Sequence, residues 1–201
     1  MAKKSPRVLI VGMSGASGAI HGIRLLEMLA ARQDVETHLV ISKAAEINIK
    51  HETSWKVSQV KALANFCYDI DDIGASLASG SFKSDGMVII PCSIKTLSAV
   101  ANSYSDNLLS RAADVTLKER RRLVLAVRET PLHLGHLRNM TRVTETGAIV
   151  FPLVTAFYNR PQTIQELIDH TVGRILDLLG LEHSLVSQWS GIPGKEAPRI
   201  K

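Results

Sequence analysis

Arg7-Val8-Leu9-Ile10-Val11 runs directly into Gly12-Met13-Ser14-Gly15-Ala16-Ser17-Gly18. The first segment is a short, β-branched apolar run, the signature of a buried strand. The glycines that follow mark a tight turn. Beyond them Ile20, Ile23, Leu25, Leu26, Leu29 and Ala30 recur at helical spacing. The unit is therefore strand, glycine-rich loop, helix.

The same alternation continues outward. Val35 to Ile41 reads as a second strand, and Ser42 stands where it can cap a helix beginning at Lys43-Ala44-Ala45. Met87 to Ile90 reads as a third strand, ending at Pro91-Cys92-Ser93 and followed by a helix carrying Leu97 and Val100. Leu123 to Val127 is a fourth strand, ending at Arg128-Glu129-Thr130-Pro131. Ala148 to Phe151 is a fifth, ending at Pro152. Thr163-Ile164-Gln165-Glu166 has the pattern of a capping box and opens a final helix that runs to about Leu179 and stops at Gly180. Continuously apolar strands alternating with helices predict a mainly parallel sheet covered on both faces. The expected fold is α/β, a Rossmann-like or flavodoxin-like three-layer sandwich. Ligands on such sheets bind beyond the carboxyl ends of the strands. Ser14, Ser17, Ser42, Ser93 and Arg128 stand at those ends.

Composition narrows the class. The chain has 201 residues, of which 45% are hydrophobic and 21% charged, which suits a single globular domain. We expect one α/β domain over residues 1–189 and a flexible Gly/Pro/Lys-rich tail over 190–201. The two cysteines, Cys67 and Cys92, form no CxxC pair and point to a reducing compartment. Neither a signal-peptide core nor a membrane span is evident, so the expected location is the cytoplasm. The net charge is +5, with the densest basic run at Lys118-Glu119-Arg120-Arg121-Arg122. That run reads as a solvated helix end before a strand. Aromatic residues make up only 4%, without basic–aromatic interleaving, which argues against nucleic-acid binding.

Several segments carry possible chemistry. The first loop is GxxGxxG, not the dinucleotide GxGxxG, and offers backbone N–H groups to an anion or flavin phosphate. Ser79-Gly80-Ser81 is either a second phosphate loop or a turn. Ser93 and Thr96 bring hydroxyls to a helix start, where free N–H groups converge. Cys92 reads as a small buried hydrophobe. Lys118, Arg128, Tyr158 and Arg174 lie at element ends or on helix surfaces. Glu129 qualifies as an acid or base only if burial raises its pKa. Glu52 has no local support. His133 and His136 lack the further ligands of a metal site, so none is expected. No GxSxG elbow is present.

Taken together, Gly12-Met-Ser-Gly-Ala-Ser-Gly18, Ile41-Ser-Lys-Ala-Ala45, Ala78-Ser-Gly-Ser-Phe82, Pro91-Cys-Ser-Ile-Lys-Thr-Leu97, Arg111-Ala-Ala-Asp-Val115, Leu117-Lys-Glu-Arg-Arg121, Val127-Arg-Glu-Thr-Pro131 and Ala156-Phe-Tyr-Asn-Arg-Pro-Gln162 resemble the UbiX family of flavin prenyltransferases. The resemblance runs from about Arg7 to Trp189. It implies transfer of a dimethylallyl group from dimethylallyl monophosphate to N5 and C6 of reduced FMN. The prenylated FMN would serve a UbiD-type decarboxylase. It also implies a dodecamer with active sites at subunit interfaces. Carried over by motif, FMN would contact Gly15, Ala16, Ser17, Ser42, Ser93, Ile94, Lys95, Thr96 and Arg128. The prenyl phosphate would meet Lys118, Tyr158 and Arg174, with Gly80 and Arg128 close by and Trp189 closing over the site. Glu52 and Glu129 would handle protons, with Lys118 and Tyr158 also catalytic. Two other readings stand beside this one: a flavin-dependent cysteine-peptide decarboxylase of similar fold, and a non-catalytic flavin carrier.

Overall fold

The computed structural model describes residues 5–186. Trp189 and the tail over 190–201 lie outside the described residues.

Strands β1 (Arg7–Met13), β2 (Val35–Ile41), β3 (Phe66–Tyr68), β4 (Gly86–Cys92), β5 (Arg122–Val127) and β6 (Ile149–Val150) form one sheet in the order β3-β2-β1-β4-β5-β6. Every pairing is parallel. Seven helices connect and flank the strands: α1 (Ala19–Ala30), α2 (Lys43–Glu52), α3 (Val57–Lys61), α4 (Ile94–Ala101), α5 (Leu108–Lys118), α6 (Leu134–Glu145) and α7 (Ile164–Leu178).

Successive strand residues point to opposite sheet faces, and here both faces are buried. Leu9, Val11 and Met13 of β1 pack with Val88 and Ile90 of β4 under α1, α2, α3 and α7. Ile10, Met87, Ile89 and Leu125 turn the other way, toward α4, α5 and α6. This is why the strands read as unbroken apolar runs instead of alternating ones.

The chain moves outward from β1 to β2 and β3, then crosses back to begin β4 beside β1. The connections leaving β1 and β4 thus depart in opposite directions. A crevice opens between them at their carboxyl ends, the position where open parallel sheets hold ligands.

The five expected strands and the terminal helix are present, with adjusted ends. The fifth strand shrinks to Ile149–Val150. Thr163 caps α7 by accepting from the Glu166 N–H at 3.2 Å, but the Glu166 carboxylate reaches back to the Gln162 N–H at 2.8 Å, one residue beyond the expected box. The sequence reading missed β3, α3 and α6, and of α5 it expected only the basic end near Lys118. Strand β3 has only three residues on the sheet edge, with Phe66 and Cys67 exposed, so no period could show. It is held by a side chain instead: Asn65 Oδ1 accepts from the Thr37 N–H at 2.8 Å. Helix α6 has one buried residue, Val143, and leaves Leu134 and Leu137 exposed. Gly135 does not prevent it from forming. His133 caps it, and the His133 and His136 rings face each other with centroids 3.6 Å apart.

Candidate functional site

The crevice at the switch point is built by serines. Ser14 is buried just after β1. Its hydroxyl donates to the Pro91 carbonyl at 3.1 Å and accepts from the Ser93 N–H at 2.7 Å, which fastens the loop after β4 to the loop after β1. Ser93 then caps α4, accepting from the Thr96 N–H at 3.3 Å and donating to Thr96 Oγ1 at 3.2 Å. Ser42 is tied to β1 through its N–H on the Met13 carbonyl and caps α2 by accepting from the Ala45 N–H at 3.1 Å. Asn107 caps α5 in the same way, accepting from the Ser110 N–H at 3.0 Å.

Three helix N-termini therefore open on one cleft. Its volume is about 590 Å³, within the range of roughly 300–1,000 Å³ typical of ligand sites. Gly15, Ser42, Ser93, Ile94, Lys95 and Thr96, six of the nine residues that the resemblance assigns to FMN, line it, together with Glu129. Asp71, Asp106, Asn107 and Ser110 also line it and were missed. The available signal was Asn107 standing three residues before Ser110, an N-cap spacing. Helix dipoles and first-turn N–H groups suit an anion, while Ala44, Ile70, Ile94 and Leu109 supply apolar walls. The pairing of an anion-accepting end with apolar walls fits the phosphate and the flat ring system of FMN. Lys43 and Lys95 add little field of their own. They pair with Asp71 at 2.6 Å and Asp106 at 3.8 Å, and their side chains are 77% and 82% exposed.

A Cβ on Gly15 would lie 2.4 Å from the Ala44 Cβ, so the loop sits against α2 as only glycine allows. Ala16 is buried behind the loop, its carbonyl accepting from Asn48 Nδ2 at 2.9 Å. Ser17 is exposed at the loop tip. Arg128 follows the end of β5, with its N–H on the Cys92 carbonyl at 3.1 Å. Its side chain is exposed and makes no ion pair among the described residues. These three do not line the cleft of the isolated chain.

The remaining candidates are dispersed. Glu52, at the end of α2, accepts from the Gly18 and Ala19 N–H groups at 2.8 and 3.0 Å. It secures the N-terminus of α1 and does not face the cleft. Glu129 is exposed, with one oxygen accepting from the Thr130 N–H at 3.0 Å. Lys118 ends α5 and pairs with Glu119, whose carboxyl is held below the usual carboxylate range by that hydrogen bond and charge. Gly80 lies against the Lys118 head: a Cβ there would fall 2.6 Å from the Lys118 Nζ. Tyr158 bonds His170 beside α7, and Arg174 on α7 pairs with Asp177 at 2.6 Å. Trp189 lies outside the described residues.

Two predictions follow from this geometry. Ser93→Ala removes a helix cap, a change of about 0.5–2 kcal/mol, and deletes the hydroxyl of a cleft-lining residue. We expect a modest fall in melting temperature and weaker FMN binding, read by calorimetry and flavin fluorescence. The second concerns the thiols. Burial pushes Cys92 up to about 12, so its thiolate is absent until strongly alkaline pH. Cys67 is exposed on the sheet edge, though partial burial raises its thiol as well. Native protein at pH 8 should take one iodoacetamide per chain, at Cys67, and two after denaturation. Native labelling of Cys92, read by peptide mass spectrometry, would contradict its placement.

Fold and cleft together define a flavodoxin-like α/β protein with an anion-accepting switch point. The flavoprotein family model matches residues 1–177. A flavin prenyltransferase UbiX from Thauera aromatica is 57% identical over 193 residues, covering 96% of this chain and 99% of that protein. The crystal structure of AnUbiX (PadA1) in complex with FMN and dimethylallyl pyrophosphate superposes with a TM-score of 0.90 at 52% identity, covering 93% of this chain and 99% of that one. A dodecameric FMN-dependent UbiX-like decarboxylase from Escherichia coli O157:H7 also gives a TM-score of 0.90, at 48% identity, covering 92% of this chain and all of that one. The chain belongs to the flavoprotein family and, within it, to the UbiX flavin prenyltransferases. Among the described residues no helix is long and apolar enough to cross a membrane.

Proposed function

We propose that this chain joins a dimethylallyl group, delivered as dimethylallyl monophosphate, to N5 and C6 of reduced FMN, and that the prenylated FMN passes to a UbiD-type decarboxylase. The observation that carries this reading is that one chain holds a cleft suited to an anion and, apart from it, a lysine corner whose present partner is the Glu119 carboxylate. The first is the serine-capped cleft. The second is the corner formed by Lys118 and Gly80. Helix α5 joins them: Ser110 borders the cleft and Lys118 ends the helix. Eight residues at 1.5 Å each put the two about 12 Å apart. A flavin alone needs only the first feature. A prenyl phosphate gives the second a use.

That separation also supports an assembly in which one copy's Lys118 corner meets another's cleft. A homo-oligomer, dodecameric like the Escherichia coli O157:H7 neighbour, would satisfy it.

When bound, reduced FMN supplies the two nucleophilic positions that accept the prenyl group. Gly15, Ala16, Ser17, Ser42, Ser93, Ile94, Lys95, Thr96 and Arg128 hold and orient it. Lys118, Arg174, Arg128 and the Tyr158 hydroxyl receive the prenyl phosphate, with Gly80 leaving room; Trp189 lies outside the described residues. As the C–O bond breaks, charge grows on the departing phosphate. Fixed cations and an O–H donor stabilise it there more than in the ground state. Proton handling falls to Glu129 and Glu52 by the family resemblance alone: in the single chain Glu129 is exposed at the cleft edge and Glu52 is engaged by the Gly18 and Ala19 N–H groups.

The test is anaerobic incubation with reduced FMN and dimethylallyl monophosphate, followed by mass spectrometry of the released flavin. A gain of one C5H8 unit is expected. Unmodified FMN from folded, flavin-loaded protein would overturn the assignment and favour thiol-peptide oxidation. Reaction of the diphosphate with equal efficiency would overturn the choice of donor.

A further inference from the structure

Lys118 is the last residue of α5, and Glu119 is its C-cap. A cation suits that end of a helix and a carboxylate does not, because the carbonyls there carry the negative end of the dipole. Helix stability therefore gives Glu119 no reason to stand at this position. Its side chain bonds the Lys118 ammonium instead. Both head groups lie over the bare backbone of Gly80: a Cβ there would collide with Glu119 Oε1 and fall 2.6 Å from Lys118 Nζ. Arg121 holds that floor in place, donating to the Gly80 carbonyl at 3.0 Å and to the Phe82 carbonyl at 2.5 Å. Arg122 donates to the Leu178 carbonyl. Among the described residues, Lys118 is the one cation of the run 118–122 that pairs with a carboxylate.

We propose that Glu119 is the exchangeable anion of the donor site: its carboxylate occupies the place at Lys118 that the prenyl phosphate takes on binding, and it reclaims the lysine as inorganic phosphate leaves. This rests on the reading above that Lys118 meets that phosphate. No covalent bond is made or broken in the exchange; one ion pair replaces another.

A carboxylate oxygen and a phosphate oxygen accept from an ammonium in the same way. Glu119 stays ionised, because the hydrogen bond and charge of Lys118 hold its carboxyl below the usual range, with Arg121 adding to the effect. An arriving phosphate is then a second anion at one cation, and the two repel each other across it. The carboxylate is tethered to the adjacent residue and so is always at hand. It also yields readily, since both side chains reach solvent and an exposed ion pair holds weakly. Competition of this kind weakens the donor and free phosphate by the same factor. The donor carries an apolar prenyl tail whose burial offsets the loss. Inorganic phosphate has no tail, so the returning carboxylate clears it from the corner.

Three variants of the full-length, FMN-loaded protein test this: Glu119→Gln, Lys118→Ala and the two together. Inorganic phosphate binding is read by titration calorimetry, and KM for dimethylallyl monophosphate by the prenyl-transfer assay. Glu119→Gln keeps the shape and loses the charge. It should bind phosphate about three- to tenfold more tightly and lower KM by the same factor, with the melting temperature unchanged. In the Lys118→Ala background, adding Glu119→Gln should change phosphate binding by less than about twofold, because the contested cation is gone. Phosphate binding and KM unmoved in Glu119→Gln would show a solvated surface pair and overturn the proposal. Weaker binding would show that Glu119 orients Lys118 toward the donor, which overturns it too. Equal tightening with and without Lys118 would show general repulsion with no exchange at the lysine, and the proposal would fall. Parent protein that makes no prenylated flavin overturns the proposed function instead; the phosphate titration reads the exchange at Lys118 separately from that outcome.

Discussion

Replacing Lys118 by alanine is expected to lower kcat/KM for the prenyl phosphate by about 10- to 100-fold while FMN remains bound. A charge-assisted hydrogen bond to phosphate contributes about 1.5–3 kcal/mol, and each 1.36 kcal/mol is about tenfold in rate. The Lys118 side chain is 48% exposed and, among the described residues, pairs with its neighbour Glu119, itself on the surface, so little stability is at stake in its loss. Lys61→Ala is the control: it breaks a similar ion pair, with Glu46 at 2.7 Å, and neither residue is proposed to meet the prenyl phosphate. Steady-state kinetics with mass-spectrometric detection of product decide the matter. Full activity in Lys118→Ala would remove Lys118 from the donor site. Loss of FMN as well would show that the lysine serves the flavin.

Gly22→Val should be the most disruptive single change near the site. Gly22 lies on the face of α1 that presses on the sheet. A Cβ there would come 2.4 Å from the Ile90 carbonyl oxygen and 2.8 Å from the Met13 side chain. The first contact is backbone and cannot swing aside. Overpacking of this kind costs about 1–3 kcal/mol and sometimes more. For valine, with two further methyls, we expect a loss above about 3 kcal/mol. At roughly 2–4 °C per kcal/mol for a chain of this size, the melting temperature falls by about 6–12 °C. Gly22→Ala should be milder, since better helix propensity returns up to about 1 kcal/mol. Met13 ends β1 and Ile90 lies two residues before the end of β4, the two strands that flank the switch point, so FMN binding should weaken in parallel with stability. Unchanged melting of Gly22→Val would mean that α1 does not approach the sheet as described.

The parts of the fold legible in the sequence are those where one residue pattern answers to one local cause. Arg7–Val11 reads as a buried strand because both of its faces meet apolar side chains. Ser42, Ser93 and Thr163 read as caps because a hydroxyl before a helix has few other uses, and all three cap. Gly180 ends α7 with φ +68°, a conformation glycine adopts without strain. Strand β3 and helix α6 were not legible, because neighbours stabilise them: β3 by pairing with β2, α6 by packing on α4 and β6.

The same division holds at the site. Sequence alone determined that serines and a glycine loop stand at strand ends, and that a flavin-handling family shares these motifs. Only the tertiary structure decided what each does. Ser14 became the bolt between β1 and β4, and Glu52 became the clasp on α1. Lys118 came to rest a helix length from the cleft, and His170 came to hold Tyr158. Caps and turns depend on residues three or four positions apart, which a single sequence displays. Bonds across 34 or 79 positions, such as Glu52 to Gly18 and Ser14 to Ser93, exist only once the sheet order has brought their elements together.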